Sequence, residues 1–255
     1  MNAEALIGNI LPPWVAAVDT FKDHDAALFA AEKEVISKSV EKRRAEFATA
    51  RMCARKAMSA LGLPPQPLLP GVRGEPQWPK GLVGSITHCA GYRAAVIGAR
   101  SEAITIGIDA EPDETVPNGV LDAISQPEER EAIRTLSREH PGTSWDRLLF
   151  SAKESVYKAW FPLTKRWLDF ENALVTIDPL RGTFTARLLV NGPHVLGRQL
   201  TGFSGRWMAE EGLILTAIVI SARADKGRHR SAGFVVAPTG SGKSSAISEG
   251  GRTTS

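Results

Sequence analysis

Cysteine is scarce in this sequence, and neither sign of charge predominates. Only Cys53 and Cys89 occur among the 255 residues, which is too few for the disulfide framework of a small secreted domain or for a cysteine-rich zinc site. The formal net charge of +3 gives no reason to expect nucleic-acid binding. The scarcity of cysteine favours a protein of the reducing cytoplasm.

Long hydrophobic runs are also missing. The most apolar stretch, Leu213 to Ile220, is far shorter than the roughly 20 residues of a membrane-spanning helix, so it predicts a buried strand and no membrane association. The first residues lack the basic and apolar regions of a signal peptide. Hydrophobic residues nevertheless make up 43% of the chain, which is typical of a globular protein with one large core or two small ones.

The order of helical and strand-like segments predicts an α+β fold. An Ala-, Glu-, Lys- and Arg-rich segment, residues 26–61, predicts one long helix or two consecutive ones, and residues 145–160 predict a strong helix that Pro162 ends. Strands are predicted at residues 82–88, 94–99, 104–111, 173–177, 183–190, 206–210 and 213–221. We expect two halves, 1–108 and 109–222, each with helices and an antiparallel sheet, followed by a poorly ordered polar tail, 223–255.

Two carboxylates end one of the apolar strands. Asp109 and Glu111 are two residues apart, so both side chains lie on one face of the strand and repel each other unless a cation lies between them. Oxygen ligands of this kind suit Mg²⁺, which commonly combines one or two carboxylates with substrate phosphates. The alternative is an ordinary acidic strand end that runs into a turn.

The helix after residue 145 carries a second charged group. Glu154 and Lys158 are four residues apart and share a face. Glu154 is a candidate third metal ligand or general base, and Lys158 a candidate cation for a phosphate leaving group. The structural alternative is a capping box formed by Ser151 and Glu154, with Glu154–Lys158 as a routine helical pair.

Further candidates for phosphate contacts lie in the first half. His88 follows a strand in which Thr87 supplies a hydroxyl, although a lone histidine after a strand is more often structural. Four arginines recur along the first predicted helix: Arg43, Arg44, Arg51 and Arg55. Each one alone favours a solvated basic face, whereas as a group they suit a phosphomonoester.

Several of these segments resemble a known family. GIDAE (residues 107–111) followed by FSAKESVYKAW (150–160) resembles the two signature blocks of 4′-phosphopantetheinyl transferases. Upstream, GSITHCAGY (84–92) and EFATARMCAR (46–55) are similar to that family's histidine block and arginine helix. WFPLTKRWLDFENA (160–173) and PNGVLDAIS (117–125) are similar to the actinobacterial type II enzymes of its monomeric, surfactin-type branch.

The resemblance implies a fold and a reaction. The fold is two similar α+β halves in pseudo-twofold relation, with coenzyme A and Mg²⁺ in the cleft between them. The reaction transfers 4′-phosphopantetheine from coenzyme A to a serine of acyl or peptidyl carrier proteins and releases 3′,5′-ADP. Such enzymes serve fatty acid, polyketide, nonribosomal peptide and siderophore biosynthesis. Two alternatives stay open: a metal-dependent hydrolase of coenzyme A or another pyrophosphate, and an inert protein that binds coenzyme A or carriers.

The resemblance also assigns roles to individual residues. It makes Asp109, Glu111 and Glu154 the Mg²⁺ ligands, with Glu154 also the base. The phosphate contacts that it implies are Lys153, Lys158, Thr87 and His88. Arg43 and Arg51 would meet the 3′-phosphate, with Arg44 open as an alternative to Arg43, and the loop from Gly71 to Arg73 would border the adenosine. Where the signature has Ala110 between its acids, a water or the Ala110 carbonyl would complete the metal shell.

One motif points to a different function. APTGSGKS, residues 237–244, fits a relaxed phosphate-loop pattern and would bind ATP or GTP. Only eleven residues follow it, which leaves no room for the helix and parallel strands that such a loop needs. We therefore expect no working nucleotide site there.

Overall fold

The computed structural model describes residues 5–223. Its α-helices are α1 (Ala30–Val35), α2 (Glu41–Ala60), α3 (Val120–Ile124), α4 (Pro127–Glu139) and α5 (Trp145–Thr164). Its strands are β1 (Ala16–Thr20), β2 (Leu82–Cys89), β3 (Tyr92–Ala99), β4 (Ala103–Pro112), β5 (Ala173–Asp178), β6 (Thr183–Leu188), β7 (His194–Val195), β8 (Arg198–Gln199), β9 (Gly202–Glu210) and β10 (Leu213–Ser221). The predicted tail beyond Arg223, with its phosphate-loop-like segment, lies outside the described residues.

Two antiparallel sheets, each packed against one long helix, form the framework, and the predicted α+β class is confirmed. The smaller sheet has the order β1-β3-β2, and α2 packs on it. The larger sheet has the order β4-β10-β9-β6-β5, and α5 packs on it. No helix within residues 5–223 is both long and apolar enough to cross a membrane.

Alternating burial along the strands separates the interior into three cores. In β3, Ala95 and Ile97 pack against α2, whereas Ala94 and Val96 face the other way. The largest core lies between α5 and the five-stranded sheet and includes fully buried Trp160. Burying one such large apolar side chain contributes about 1.5–3 kcal/mol, so the two helices are held mainly by their sheets.

Strand β4 presents its polar residues to α5. Ile106 and Ile108 pack in the core that also holds Ala94 and Val96 of β3, on the face of β4 away from α5. The period of two therefore turns the odd-numbered residues, Thr105 to Glu111, toward the helix. Gly107 is required there, because a Cβ would collide with the Ser155 carbonyl oxygen of α5. This close approach brings the helix directly over the acidic end of β4.

The two sheets meet where β2 runs beside β4. Ser85 Oγ of β2 accepts a hydrogen bond from the Ile108 N–H (3.1 Å), and Thr87 Oγ1 accepts one from the Ala110 N–H (3.0 Å). Side-chain hydroxyls at alternate positions thus satisfy alternate backbone donors of the neighbouring sheet. The predicted boundary between residues 108 and 109 lies inside β4, and the division into two halves stays a prediction.

Several predicted element limits were wrong, among them the end of α5 and the start of β9. Helix α5 continues past Pro162 to Thr164, because one missing N–H in the last turn is tolerated where Lys165 N still reaches the Phe161 carbonyl (2.8 Å). Strand β9 begins at Gly202 rather than residue 206. Within the added residues, Gly205 makes room for the Phe184 ring on the neighbouring strand. The predicted first helix is two helices, α1 and α2.

Candidate functional site

Asp109 lies at the centre of a polar group between β4 and α5. Its Oδ1 accepts hydrogen bonds from Lys158 Nζ (2.6 Å) and from Thr87 Oγ1 (3.1 Å). Its Oδ2 is buried and has no partner in the described part of the chain. A buried carboxylate oxygen without a donor or cation is unfavourable, so this oxygen marks a place that suits a bound cation or donor.

Glu111 faces α5 as well, as the period-two pattern predicts, and contacts Arg147. Arg147 Nη1 lies 3.1 Å from Glu111 Oε2, while its other nitrogens donate to the carbonyls of Glu114 and Thr115. Burial and then the negative charge of Asp109 raise the pKa of Glu111 to about 7, although the nearby Arg147 charge opposes them. The two carboxylates therefore repel each other even with a guanidinium present.

Glu154 is the third carboxylate of this region. Burial raises its pKa, Asp109 adds to the effect, and Lys158 opposes it. The capping-box alternative is wrong, because α5 begins at Trp145 and Ser151 is an interior residue whose hydroxyl pairs with Thr216 Oγ1 (2.9 Å). Glu154 therefore does not cap the N-terminus of α5.

The three predicted metal ligands are not arranged as a ready cation site. Within residues 5–223 no group of three or more His, Cys, Asp or Glu side chains is placed to hold a metal ion. The physical reason is visible in the contacts: Lys158 neutralises Asp109, and Arg147 neutralises Glu111. The chain's own cations hold carboxylates that would otherwise repel one another.

A second cluster joins α2 to the end of β2. Arg43 Nη1 donates to His88 Nε2 (3.0 Å), so that nitrogen is an acceptor and the imidazole is neutral. Burial and then the Arg43 charge lower the pKa of His88. Both residues line a cavity of about 110 Å³ together with Arg51 and Glu46. Arg44 does not line it, so the geometry favours Arg43 over Arg44 as the anion contact.

Arg51 is the buried member of this cluster. Its guanidinium stacks 3.5 Å from the centre of the Phe47 ring, and its Nε donates to the Leu68 carbonyl (3.3 Å). Burial lowers its pKa to about 10, which leaves it charged at neutral pH. A desolvated, oriented guanidinium is well suited to bidentate binding of a phosphate.

The predicted adenosine loop lies beside this cavity. Gly74 lines the cavity, and Gly71 donates its N–H to the Glu75 carbonyl (2.7 Å) in a tight turn. A Cβ at Gly71 would collide with the Glu75 carboxylate. Arg73 points elsewhere, with its guanidinium 5.4 Å from the centre of the Trp167 ring, which follows α5. The loop thus spans from the arginine cavity to the segment after α5.

Comparison with known proteins adds to this geometry. Residues 31–98 match the family model of the 4′-phosphopantetheinyl transferase N-terminal domain, and residues 105–204 match that of the 4′-phosphopantetheinyl transferase superfamily. The chain belongs to the 4′-phosphopantetheinyl transferase family. It is therefore an enzyme, and the family resemblance seen in the sequence is confirmed.

Similar transferases come from actinobacteria. The chain is 52% identical to the 4′-phosphopantetheinyl transferase Svp of Streptomyces mobaraensis, over 86% of this chain and 91% of that protein. It is 49% identical to PptT of Mycobacterium tuberculosis, over 86% of this chain and the whole of PptT. It is 48% identical to Npt of Nocardia iowensis, over 84% of this chain and 99% of Npt.

Two residues predicted to touch phosphate have protein partners in this transferase. Lys153 has a side chain that is 1% exposed, and its ammonium donates to Glu129 and to two backbone carbonyls. Thr87 is buried, with its hydroxyl engaged by Asp109 and Ala110. Lys153 is therefore removed from the predicted phosphate contacts. Thr87 stays in the site, where its hydroxyl contacts Asp109 rather than a phosphate.

A second cavity, of about 200 Å³, opens beside Glu154. One wall is α5, and the other is the segment that follows it, with Trp167, Leu168 and Phe170. The Tyr157 hydroxyl is buried without a hydrogen-bond partner in the described residues. A mostly apolar slot with one free hydroxyl suits a slender chain that carries few polar groups.

Sequence reasoning missed three charged residues of this transferase: Arg147, Glu46 and Glu129. Arg147 could have been predicted from the sequence, because it lies seven residues before Glu154 and therefore on the same helical face. Glu46 lies three residues after Arg43, from which its carboxylate is 3.8 Å away. Glu129 has no local signal, since its partner Lys153 is 24 residues distant in the chain.

Proposed function

We propose that this enzyme transfers 4′-phosphopantetheine from coenzyme A to a serine of acyl and peptidyl carrier proteins, in a Mg²⁺-dependent reaction that releases 3′,5′-ADP. The observation that carries the proposal is the joint presence, in a chain of this family, of an arginine–histidine cavity and a carboxylate–lysine group. Coenzyme A carries a phosphorylated nucleotide at one end and a pyrophosphate in its middle, which are the two chemistries that these clusters suit.

The nucleotide end of coenzyme A belongs at the first cluster. Arg43 and Arg51 bind the 3′-phosphate region, and His88 donates to a phosphate once Arg43 turns toward the ligand. The turn from Gly71 to Arg73 borders the adenosine. Support comes from the cavity that Arg43, Arg51 and His88 share, with Gly74 at its edge.

The donor set also fits a divalent cation. Asp109 Oδ2 is buried and free of hydrogen bonds among the described residues, and Glu111 and Glu154 both have raised pKa values. A cation would relieve each of these penalties at once. Asp109, Glu111 and Glu154 would hold Mg²⁺, and the ion would neutralise charge on the pyrophosphate oxygens.

The chemical step follows from the positions of Glu154 and Lys158. Glu154 takes the proton of the carrier serine, and a raised pKa makes a carboxylate a better proton acceptor near neutral pH. The serine oxygen bonds to the phosphorus next to pantetheine as the bond from that phosphorus to the 3′,5′-ADP oxygen breaks. Lys158, 27% exposed, stabilises the negative charge on that oxygen.

The pantetheine arm belongs in the second cavity. The slot is lined by Tyr157, Trp167, Leu168 and Phe170 and ends beside Glu154. In this proposal the arm lies next to the phosphorus that the serine attacks. We further propose that the enzyme acts as a cytoplasmic monomer and serves fatty acid, polyketide, nonribosomal peptide or siderophore synthesis.

An intact-mass experiment tests the proposal. The enzyme is incubated with coenzyme A, Mg²⁺ and an apo carrier protein, and the carrier is weighed. The proposal expects a gain of about 340 Da, the mass of the transferred group. Cleavage of coenzyme A without any gain on the carrier would instead identify a hydrolase, and binding without turnover an inert binding protein.

A further inference from the structure

We propose that the buried ion pair Lys153–Glu129 positions the outer wall of the pantetheine slot and thereby sets how tightly the enzyme holds the arm of coenzyme A. The wall is the segment from Trp167 to Ala173, and the pair lies between it and helices α4 and α5. This inference rests on the proposed function, and it gives Lys153 a positioning task in place of a phosphate contact.

Lys153 ties α5 to that wall. Its Nζ donates to the carbonyl oxygens of Phe170 (2.8 Å) and Ala173 (2.9 Å), and to Glu129 Oε2 (2.8 Å). An ammonium has three donors, and all three are used. Burial lowers the pKa of Lys153 and Glu129 opposes that effect. A lysine held in this way has no donor left for a phosphate.

Glu129 ties the same wall to α4. Its Oε2 also accepts from the Gln126 N–H (2.7 Å), which starts the helix, and its Oε1 accepts from the Val175 N–H (2.6 Å) of β5. The carboxylate is 1% exposed. The pair therefore joins both helices to the backbone on either side of Ala173.

The wall has a reason to need these ties. Within residues 5–223, strand β5 pairs with β6 alone, so the segment before it lies at the border of the sheet. Lys153 and Glu154 are neighbours on α5, and both line the slot. The length of the Lys153 side chain thus sets the spacing between the wall and the helix turn that carries Glu154.

Loss of the ion pair should weaken binding of the pantetheine arm of coenzyme A and leave binding of its nucleotide end unchanged. Lys153→Met keeps the apolar stem but leaves the Phe170 and Ala173 carbonyls without their donor. The double variant Lys153→Met/Glu129→Leu also removes the uncompensated charge, and such apolar replacements often retain stability. The readout is binding of coenzyme A and of 3′,5′-ADP, which has the nucleotide phosphates but no pantetheine arm.

We expect both variants to bind coenzyme A at least about tenfold more weakly, because small misplacements of a binding wall are costly. Affinity for 3′,5′-ADP should stay within about twofold of wild type, since the arginine cavity is separate. Leu200→Ala is the matched control: it opens a cavity in the same core, outside the slot, and should change neither affinity while lowering the melting temperature.

Two results would overturn the inference. Equal loss of both affinities would make Lys153 a phosphate contact, and retention of coenzyme A affinity in a folded variant would make the pair merely structural. If Lys153→Met does not fold, the double variant and Glu129→Gln carry the comparison. A wild-type enzyme that modifies no carrier would refute the proposed function instead, so the two failures are distinguishable.

Discussion

The two long helices of the molecule have the same length and the same kind of support but opposite chemistry. Helices α2 and α5 each have 20 residues, and each packs on an antiparallel sheet. Helix α2 turns Arg43 and Arg51 toward a cavity, whereas α5 turns Glu154 and Lys158 toward an acidic strand end. The same kind of helix–sheet support thus carries an arginine cluster on α2 and a carboxylate–lysine cluster on α5.

The two helices also differ in how tightly their functional groups are held. The Arg43 side chain is 49% exposed and free to adjust to a ligand. Helix α5 is locked to its sheet by Gly107, by the Thr105 hydroxyl on the Ala159 carbonyl (2.8 Å) and by Ser151 on Thr216. Binding tolerates adjustment and proton transfer does not, so this difference fits a division between binding and chemistry.

Among the substitutions that test this division, Glu154→Gln should have the largest effect, a loss of kcat. Gln removes the proton acceptor and one anionic ligand, and loss of a general base costs about 10²–10⁴-fold in rate. The measurement is kcat for carrier modification, with circular dichroism to show that the variant is folded. A folded variant with near wild-type kcat would show that the carboxylate on α5 takes no part in the chemical step.

Lys158→Met should rank next. Its loss removes the cation beside Asp109, and missing charge stabilisation of this kind costs about 10²–10³-fold in kcat. KM for coenzyme A should change much less. A variant in which KM rises and kcat is unchanged would move Lys158 from the leaving group to ground-state binding.

Arg43→Met should weaken coenzyme A binding by about tenfold or more, as expected for one charge-assisted phosphate contact of about 1.5–3 kcal/mol. Arg44→Met is the matched control on the next position of α2 and should leave KM within about twofold, because it lies outside the cavity. Equal effects of the two substitutions would show that only the net charge of the helix matters.

Glu111→Gln removes a proposed Mg²⁺ ligand and should slow carrier modification; its smaller, separate effect is on the stability of the Mg²⁺-free enzyme. Because the folded-state pKa is raised from 4.5 to about 7, ionisation of Glu111 destabilises the fold as the pH rises through this window. The variant should therefore melt higher than wild type at pH 8, by a difference worth at most about 3 kcal/mol, and equally at pH 4. A lower melting temperature at pH 8 would show that the Arg147 contact outweighs the repulsion.

The part of the site that follows from the sequence is the part that depends on local periodicity. Two-residue spacing placed Asp109 and Glu111 on one face, and four-residue spacing placed Glu154 beside Lys158, as the structure has them. The strand pattern likewise anticipated β2, β3 and β4. Local rules were sufficient because each of these pairs lies within a single element.

Contacts between distant segments were not predictable in this way. Lys153 stands in the signature block beside Glu154, yet its partner Glu129 lies on another helix and its other acceptors are backbone carbonyls without a sequence signal. Gly205 of β9 accommodates an aromatic ring that belongs to β6, and nothing in the sequence around Gly205 indicates that contact. Strand β1 was missed altogether, because its five residues are stabilised by pairing with β3 rather than by a pattern of their own. In that pairing Ala17 lies opposite Val96, 79 positions further along the chain.

The most direct test of the division between binding by α2 and chemistry by α5 is to make the same two measurements on two variants. Binding of 3′,5′-ADP without Mg²⁺ and the rate of carrier modification are both measured for Arg43→Met and Glu154→Gln. The account predicts that Arg43→Met loses about tenfold in 3′,5′-ADP affinity, whereas Glu154→Gln binds it like wild type and modifies the carrier at least about a hundredfold more slowly. Loss of 3′,5′-ADP binding in Glu154→Gln would contradict the account.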